Sequence, residues 1–178
     1  MSFKRERFES KDSDLSRSPE EWDERARGIL LARLTRGPRT KHQLAQLLAS
    51  KEIPEEIALP LLDRFQEVGL IDDAAYARAF THDRRESRGL AKSALKRELN
   101  QAGVSPDQID DALSGIEPED ELELAVRLVE KRWSSLASLD WQSRQRRLLG
   151  YLGRRGFSSG VISQAVKLVE RDGLGNQS

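Results

Sequence analysis

Apolar residues along this chain recur at intervals of three and four, the spacing of a helix with one buried face. Nowhere do they alternate with a period of two over a useful length, so no strand is expected. Cut at its polar breaks, the pattern predicts helices near 20–35, 40–50 and 54–68, then near 73–86, 90–101 and 106–113, then near 119–135, 140–155 and 158–171. The three groups repeat one another. Ile53, Val104 and Phe157 lie 51 and 53 residues apart, and nine residues before each stands Leu44, Leu95 or Leu148. Five before each stands Leu48, Leu99 or Leu152, and twenty-four before each a large apolar residue, Ile29, Phe80 or Trp133. Ile57, Ile109 and Ile162 then open the apolar pattern that follows each anchor. Several aligned positions in three copies mark an internal repeat.

Helix punctuation supports the same division. Ser18 before Pro19, Thr40, Asp72, Ser105, Asp140 and Ser158 stand where an N-cap oxygen is needed. Gly69 and Gly103 fit the left-handed position just past a helix end, and Gly156 ends the middle helix of the third group. Ile71 and Tyr76 are spaced as a hydrophobic staple around Asp72, although Ala75 denies that helix a capping box. Pro60 conflicts with its surroundings, since it removes a hydrogen bond inside a predicted helix, and a kink or split is expected there.

Each group holds too few apolar residues for a large core of its own, so neighbours must pack on one another. The expectation is an all-α protein of three tandem three-helix repeats in an elongated, curved array. Its parts are a disordered charged tail (1–19), repeats over 20–71, 72–116 and 117–171, and a frayed C-terminus (172–178). Trp22, Trp133 and Trp141 are expected as core anchors, with Trp141, Leu148, Leu149 and Leu152 on the core face of their helix.

Composition removes most chemistry. The 178 residues include no cysteine and two histidines, His42 and His82, which leaves no thiolate site and little imidazole. No glycine-rich phosphate loop follows a strand, and Gly173-Leu174-Gly175 lies in the terminal tail. Adjacent acids such as Asp72/Asp73 and Asp110/Asp111 point different ways on a helix and are better explained by capping. No catalytic residue, cofactor or metal site is expected. No apolar run approaches 18 residues and no signal peptide stands at the N-terminus, so a soluble, cytoplasmic protein is expected, without a membrane partner.

Net charge is zero, yet the charges are segregated. Arg78–Gln101 carries seven basic and three acidic residues; Ala102–Val126 carries eight acidic and no basic ones; Trp141–Arg155 carries five arginines and no acid. Arg144, Arg147, Tyr151, Arg154 and Arg155 share one broad face of their helix, and Lys92, Lys96 and Arg97 cluster on the equivalent helix of the second group. Such stripes can neutralise phosphates, with the tyrosine free to stack, or meet an acidic protein surface, or simply be solvated.

Gly69-Leu70-Ile71-Asp72-Asp73, followed by Tyr76-Ala77 and Phe80, resembles the central signature of the RecX family of regulatory proteins. Arg84-Arg85-Glu86-Ser87-Arg88-Gly89, with Leu95, Glu98-Leu99 and Gly103-Val104, resembles the motif that follows it. The likeness covers about residues 20–171, with two departures: Leu90-Ala91-Lys92 stands where members often have a second glycine or a proline, and Leu95 replaces a common isoleucine. The resemblance implies a monomer that binds the RecA recombinase filament along its groove and inhibits its assembly, ATP hydrolysis and strand exchange. Taken with the basic stripes, this makes Arg84, Arg85, Arg88, Lys92, Lys96 and Arg97, then Arg144, Arg147, Tyr151, Arg154 and Arg155, the expected partner contacts, with single- or double-stranded DNA as a further partner. The alternative is a helical module that binds DNA directly, without the recombinase.

Overall fold

The structure is a computed structural model that describes residues 17–175, with side chains described as far as Arg171. The expected charged tail, up to residue 16, and residues 176–178 lie outside the described residues. Within them are nine α-helices and no strand: α1 (Pro19–Leu34), α2 (Lys41–Ser50), α3 (Glu55–Glu67), α4 (Asp73–Arg88), α5 (Lys92–Gln101), α6 (Pro106–Leu113), α7 (Pro118–Trp133), α8 (Trp141–Gly153) and α9 (Ser159–Gly175). A 3-10 turn, Ser134–Leu136, links α7 to α8. The described residues form two compact units, one ending at Tyr76 and the other beginning at Ala77, so the boundary falls just inside α4.

Six of the nine helices start where cap chemistry predicts. Ser18 and Thr40 each form a reciprocal capping box, with Glu21 and Gln43. Ser105, Asp140 and Ser158 accept the backbone N–H groups of Gln108, Ser143 and Val161. Asp72 receives the N–H of Ala75 at 2.8 Å, which sets the start of α4. Each cap satisfies a donor that has no partner within the helix and contributes about 1 kcal/mol.

The repeated anchors have a common geometry. After α2, α5 and α8 the chain turns through a left-handed residue: Glu52 (φ 59°), Gly103 (φ 78°) and Gly156 (φ 92°). The next residue is the apolar anchor, whose N–H reaches back to the helix: Ile53 to the Leu48 carbonyl, Val104 to Leu99 and Phe157 to Leu152, at 3.1–3.3 Å. The left-handed residues themselves donate to Ala49, Asn100 and Gly153 at 3.0 Å. This is the Schellman closure, in which an apolar residue past the turn folds back on the helix end. All three anchors are buried, as are Leu44, Leu48, Leu95, Leu99, Leu148 and Leu152.

In the first unit, α1, α2 and α3 enclose a core built on Leu30, Leu44, Leu48, Leu62 and Phe65, with Ile71 closing it. The expected split at Pro60 does not occur, and α3 runs unbroken. Pro60 and Glu56 are both exposed, so the carbonyl that loses its partner lies on the solvent side. Asp73 is buried and accepts the N–H of Lys41 at 2.9 Å, tying the start of α4 to the start of α2. Burial raises its carboxyl pKa, and the Lys41 N–H only partly opposes this.

The second unit joins two of the three-helix groups. Ala125, Val129, Leu148, Leu152, Phe157 and Val166 form a core between α7, α8 and α9, and Ala91 at the start of α5 belongs to it. The turn after α8 is fastened to the start of α5. Ala91 N–H donates to the Arg155 carbonyl at 2.9 Å, and the Ser93 hydroxyl donates to the Gly156 carbonyl at 2.6 Å. Arg155 Nε donates in return to the Arg88 carbonyl at 3.0 Å. A Cβ on Gly156 would stand 2.7 Å from Ala94 Cβ and 2.8 Å from the Ala94 backbone nitrogen, so only glycine permits the approach.

Two expectations for α8 are corrected. Trp141 and Leu149 are 43% and 48% exposed rather than core, because the helix buries only the narrow face that carries Leu148 and Leu152. Trp22 and Trp133 are half-buried against their cores. The last helix also continues to Gly175, past the end at 171 that the sequence suggests.

Glu52→Gly relieves a left-handed side chain, a conformation that costs about 1–2 kcal/mol. Part of that gain is offset by the greater freedom of glycine in the unfolded chain, so chemical denaturation should show a rise of about 0.5–1 kcal/mol. Gly156→Ala combines left-handed strain with a clash against backbone and should lose about 2–4 kcal/mol in the same assay. Because the folded pKa of Asp73 is raised, the folded state holds its proton to higher pH than the unfolded chain. The contribution of this group therefore falls as pH rises through the carboxylate range. Asp73→Asn removes that slope, so its stability relative to the parent should increase with pH over that range.

Candidate functional site

The basic residues singled out in the sequence all belong to the second unit, but the fold puts them in different states. On α4 and α5 most are occupied. Arg84 lies over the Phe80 ring at 4.9 Å and pairs with Asp83 and Glu98, and Arg88 pairs with the same Glu98 at 3.3 Å. Arg85 is half-buried, donating to the Asp120 carbonyl at 3.5 Å, with its Nη1 buried and unpartnered. Lys92 donates to the Ile116 carbonyl at 3.2 Å, and Lys96 pairs with Asp110 at 2.7 Å. Exposed pairs of this kind add about 0–1 kcal/mol each, but they neutralise the charge a ligand would meet. Arg97 alone of this set is exposed without an ion pair or hydrogen bond.

On α8 the set divides. Arg144 is structural: it donates to the carbonyls of Leu136, Ala137 and Leu139 at 3.0–3.4 Å and lies over the Trp133 ring at 4.7 Å. The Leu136 carbonyl also accepts the N–H of Leu139 at 3.1 Å, so the guanidinium braces the turn that leads into α8. Arg155 is spent on the fastening to α4 and on the Tyr151 carbonyl, and its guanidinium lies 3.9 Å from the Tyr151 ring centre. Arg132 from α7 reaches the same ring at 4.6 Å. The tyrosine is therefore already stacked against two guanidinium groups.

Arg147 and Arg154 are exposed, and so is Arg146, which lies outside the basic stripe of the helical wheel. None of the three has an ion pair or hydrogen bond, and they line a surface cleft of about 300 Å³ together with Arg132, Gly150 and Tyr151. No acidic residue lines the cleft. The acid nearest Arg146 and Arg147 in sequence, Asp140, caps α8, and the backbone N–H of Ser143 holds its carboxyl below the usual range, with the Ser143 side chain assisting. Arg146 was legible only as one of five arginines in an acid-free segment. Arg132 gave no sequence signal, because the packing of α7 on α8 is what brings it to the cleft.

Among the described residues, no group of three or more acidic or histidine side chains could hold a metal ion, and no helix is long and apolar enough to cross a membrane. Comparison with known proteins places the chain. The family model described as the second three-helix domain of RecX matches residues 72–113, and the model of its third three-helix domain matches residues 119–166. The Regulatory protein RecX of Thermobifida fusca (strain YX) is 43% identical over 152 residues, covering 85% of this chain and 82% of that protein. That of Streptomyces coelicolor (strain ATCC BAA-471 / A3(2) / M145) is 46% identical over 144 residues, covering 81% and 77%. The fold resembles the crystal structure of RecX from Lactobacillus salivarius, with a TM-score of 0.74 at 20% identity, over 85% of this chain and 98% of that one. A second crystal structure, of a regulatory protein RecX, gives a TM-score of 0.74 at 27% identity, over 83% and 74%. With two of its three-helix groups matched by family models and four-fifths of its length aligned to such relatives, the chain belongs to the RecX family of regulatory proteins.

Proposed function

We propose that this protein is a non-catalytic regulator that binds the RecA recombinase filament and inhibits its assembly, ATP hydrolysis and strand exchange. The observation that carries the reading is the relationship, over most of the chain, to proteins named as RecX regulators. The three-helix repeats at 20–71, 72–116 and 117–171 suit the task, since repeated elements can engage repeated sites on a polymer. Several weak contacts then add through effective concentration. The basic residues of α4, α5 and α8 supply the contacts, with Arg97, Arg147 and Arg154 foremost because no internal partner competes for them. Arg84, Arg85, Arg88, Lys92, Lys96, Arg144, Tyr151 and Arg155 act mainly by holding those helices in place.

The test is single-stranded-DNA-dependent ATP hydrolysis by the recombinase, with this protein added well below the recombinase concentration. Strong inhibition at such ratios is expected, whereas competition for DNA would need far more protein. Replacing Arg97, Arg147 and Arg154 together by glutamate should weaken inhibition by roughly tenfold or more, since each charge-assisted contact is worth about 1.5–3 kcal/mol. Helical content, read by circular dichroism, should not change. Arg144 is left intact because its loss would open the turn before α8. Absence of inhibition by the parent protein at any substoichiometric ratio would overturn the reading.

A further inference from the structure

We infer that the groove between α8 and α9 is a docking site for an acidic amphipathic helix supplied by a protein partner. The internal repeat explains why this groove stands open while its counterparts are bridged. In the first group Lys41 of α2 pairs with Asp63 of α3. In the second, Lys96 of α5 pairs with Asp110 of α6 at 2.7 Å, and Lys92 of α5 reaches the Ile116 carbonyl beyond α6 at 3.2 Å. Counted from Leu44, Leu95 and Leu148, the position of Lys41 and Lys92 is Gln145 in the third group, and that of Lys96 is Leu149. Counted from Ile109 and Ile162, the position of Asp110 is Ser163. Neither Gln145 nor Ser163 makes a side-chain hydrogen bond, so no polar bridge joins α8 to α9 at these positions. What remains is a groove of about 530 Å³, with Gln145, Arg146 and Leu149 on one wall, Ser163 on the other, and the buried Ile162 and Val166 as its floor. Trp141, exposed one turn before Gln145, extends the apolar wall.

The lining decides the occupant. A single cation over an apolar floor does not suit a phosphate backbone, which is held by polar, strongly positive surfaces. Exposed aromatic and aliphatic side chains are instead the anchors on which protein interfaces centre. On each helix the lining covers about two turns, residues 142–149 and 159–166, or about 10 Å. That is the span of apolar residues at i, i+3 and i+7 on a partner helix, the pattern that helix-in-groove sites read. Ser159 and Ser163 are small, so a helix can approach α9 closely while its apolar residues meet Leu149 and Trp141. Charge sets the flank of that helix. No acid lines the groove, Arg146 has no ion pair, and neither has Lys167, exposed one turn beyond Ser163. Acidic residues beside the apolar face of the partner helix would answer both cations.

The proposal goes beyond the filament reading and uses none of Arg97, Arg147 and Arg154, so either can fail alone. The probe is a labelled designed peptide of about 20 residues, long enough for an isolated helix to form, with leucines at i, i+3, i+4 and i+7 spacing and glutamates beside them. Its binding to the full chain is followed by fluorescence anisotropy, and saturable binding is expected. A shuffled peptide of the same composition, and one with lysine in place of glutamate, should each bind about tenfold more weakly or worse. Leu149→Lys combined with Ser163→Asp rebuilds the bridge of the second group without changing net charge, and should lower affinity about tenfold or more. Trp141→Ala, at an exposed position that the fold does not rely on, should cause a loss of similar size. Inhibition of the recombinase should be the same in the double variant as in the parent. Absence of peptide binding, equal binding of either control peptide, or binding indifferent to both variants would overturn the assignment. So would a double variant that no longer inhibits the recombinase, which would give the groove to the filament. Sedimentation of the parent as a dimer that the double variant abolishes would overturn it too, by giving the groove to a second copy of the chain.

Discussion

The left-handed closure after α2, α5 and α8 is the constraint on which the rest depends. It ends each middle helix, reverses the chain and drops Ile53, Val104 or Phe157 into the core beside the leucine five residues earlier. Without it the third helix of a group could not return across the first two. The local geometry is satisfied by glycine twice and by Glu52 once, so the first unit carries strain that the other two closures avoid.

The closure after α8 has a second duty. Its carbonyls at Arg155 and Gly156 receive donors from Ala91 and Ser93, and Arg155 returns a donor to Arg88. A helix end that would otherwise face water becomes the joint between two three-helix groups of the second unit. The arginine that makes this joint is lost to any partner, and so is Arg144, which holds the turn before α8. Both ends of the helix are thus fixed by arginines, and the cations between them are presented on a rigid element rather than a loop.

Much of this was legible in the sequence because it rests on local rules. The caps at Ser18, Thr40, Asp72, Ser105, Asp140 and Ser158, and the stops at Gly103 and Gly156, follow from which backbone groups a helix leaves unpaired. The buried leucines followed from the repeat. What could not be read is what depends on neighbours distant in sequence. The pairing of Lys96 with Asp110, the Arg84–Glu98–Arg88 cluster and the reach of Arg132 to Tyr151 are products of packing between helices. Trp141 and Leu149 misled for the related reason that residue hydrophobicity does not reveal how wide a face the neighbours can cover.

A stripe of basic residues on a helical wheel is therefore a poor guide to where charge is available. In the second group Glu98 and Asp110 neutralise Arg84, Arg88 and Lys96 at home and leave Arg97 without an ion pair. On α8 two of the stripe's arginines, Arg144 and Arg155, serve the backbone, and a residue outside the stripe, Arg146, joins the free set. Coulomb attraction at close range is strong enough to bind these charges internally wherever an acid lies within reach, and the acid-free run from Trp141 to Arg155 is what prevents it here. Segregating the acids into α6 and α7 and the arginines into α8 leaves net charge at zero while concentrating unused positive charge on one helix. It is that separation along the chain, rather than the number of basic residues, that gives α8 a surface an anionic partner can use.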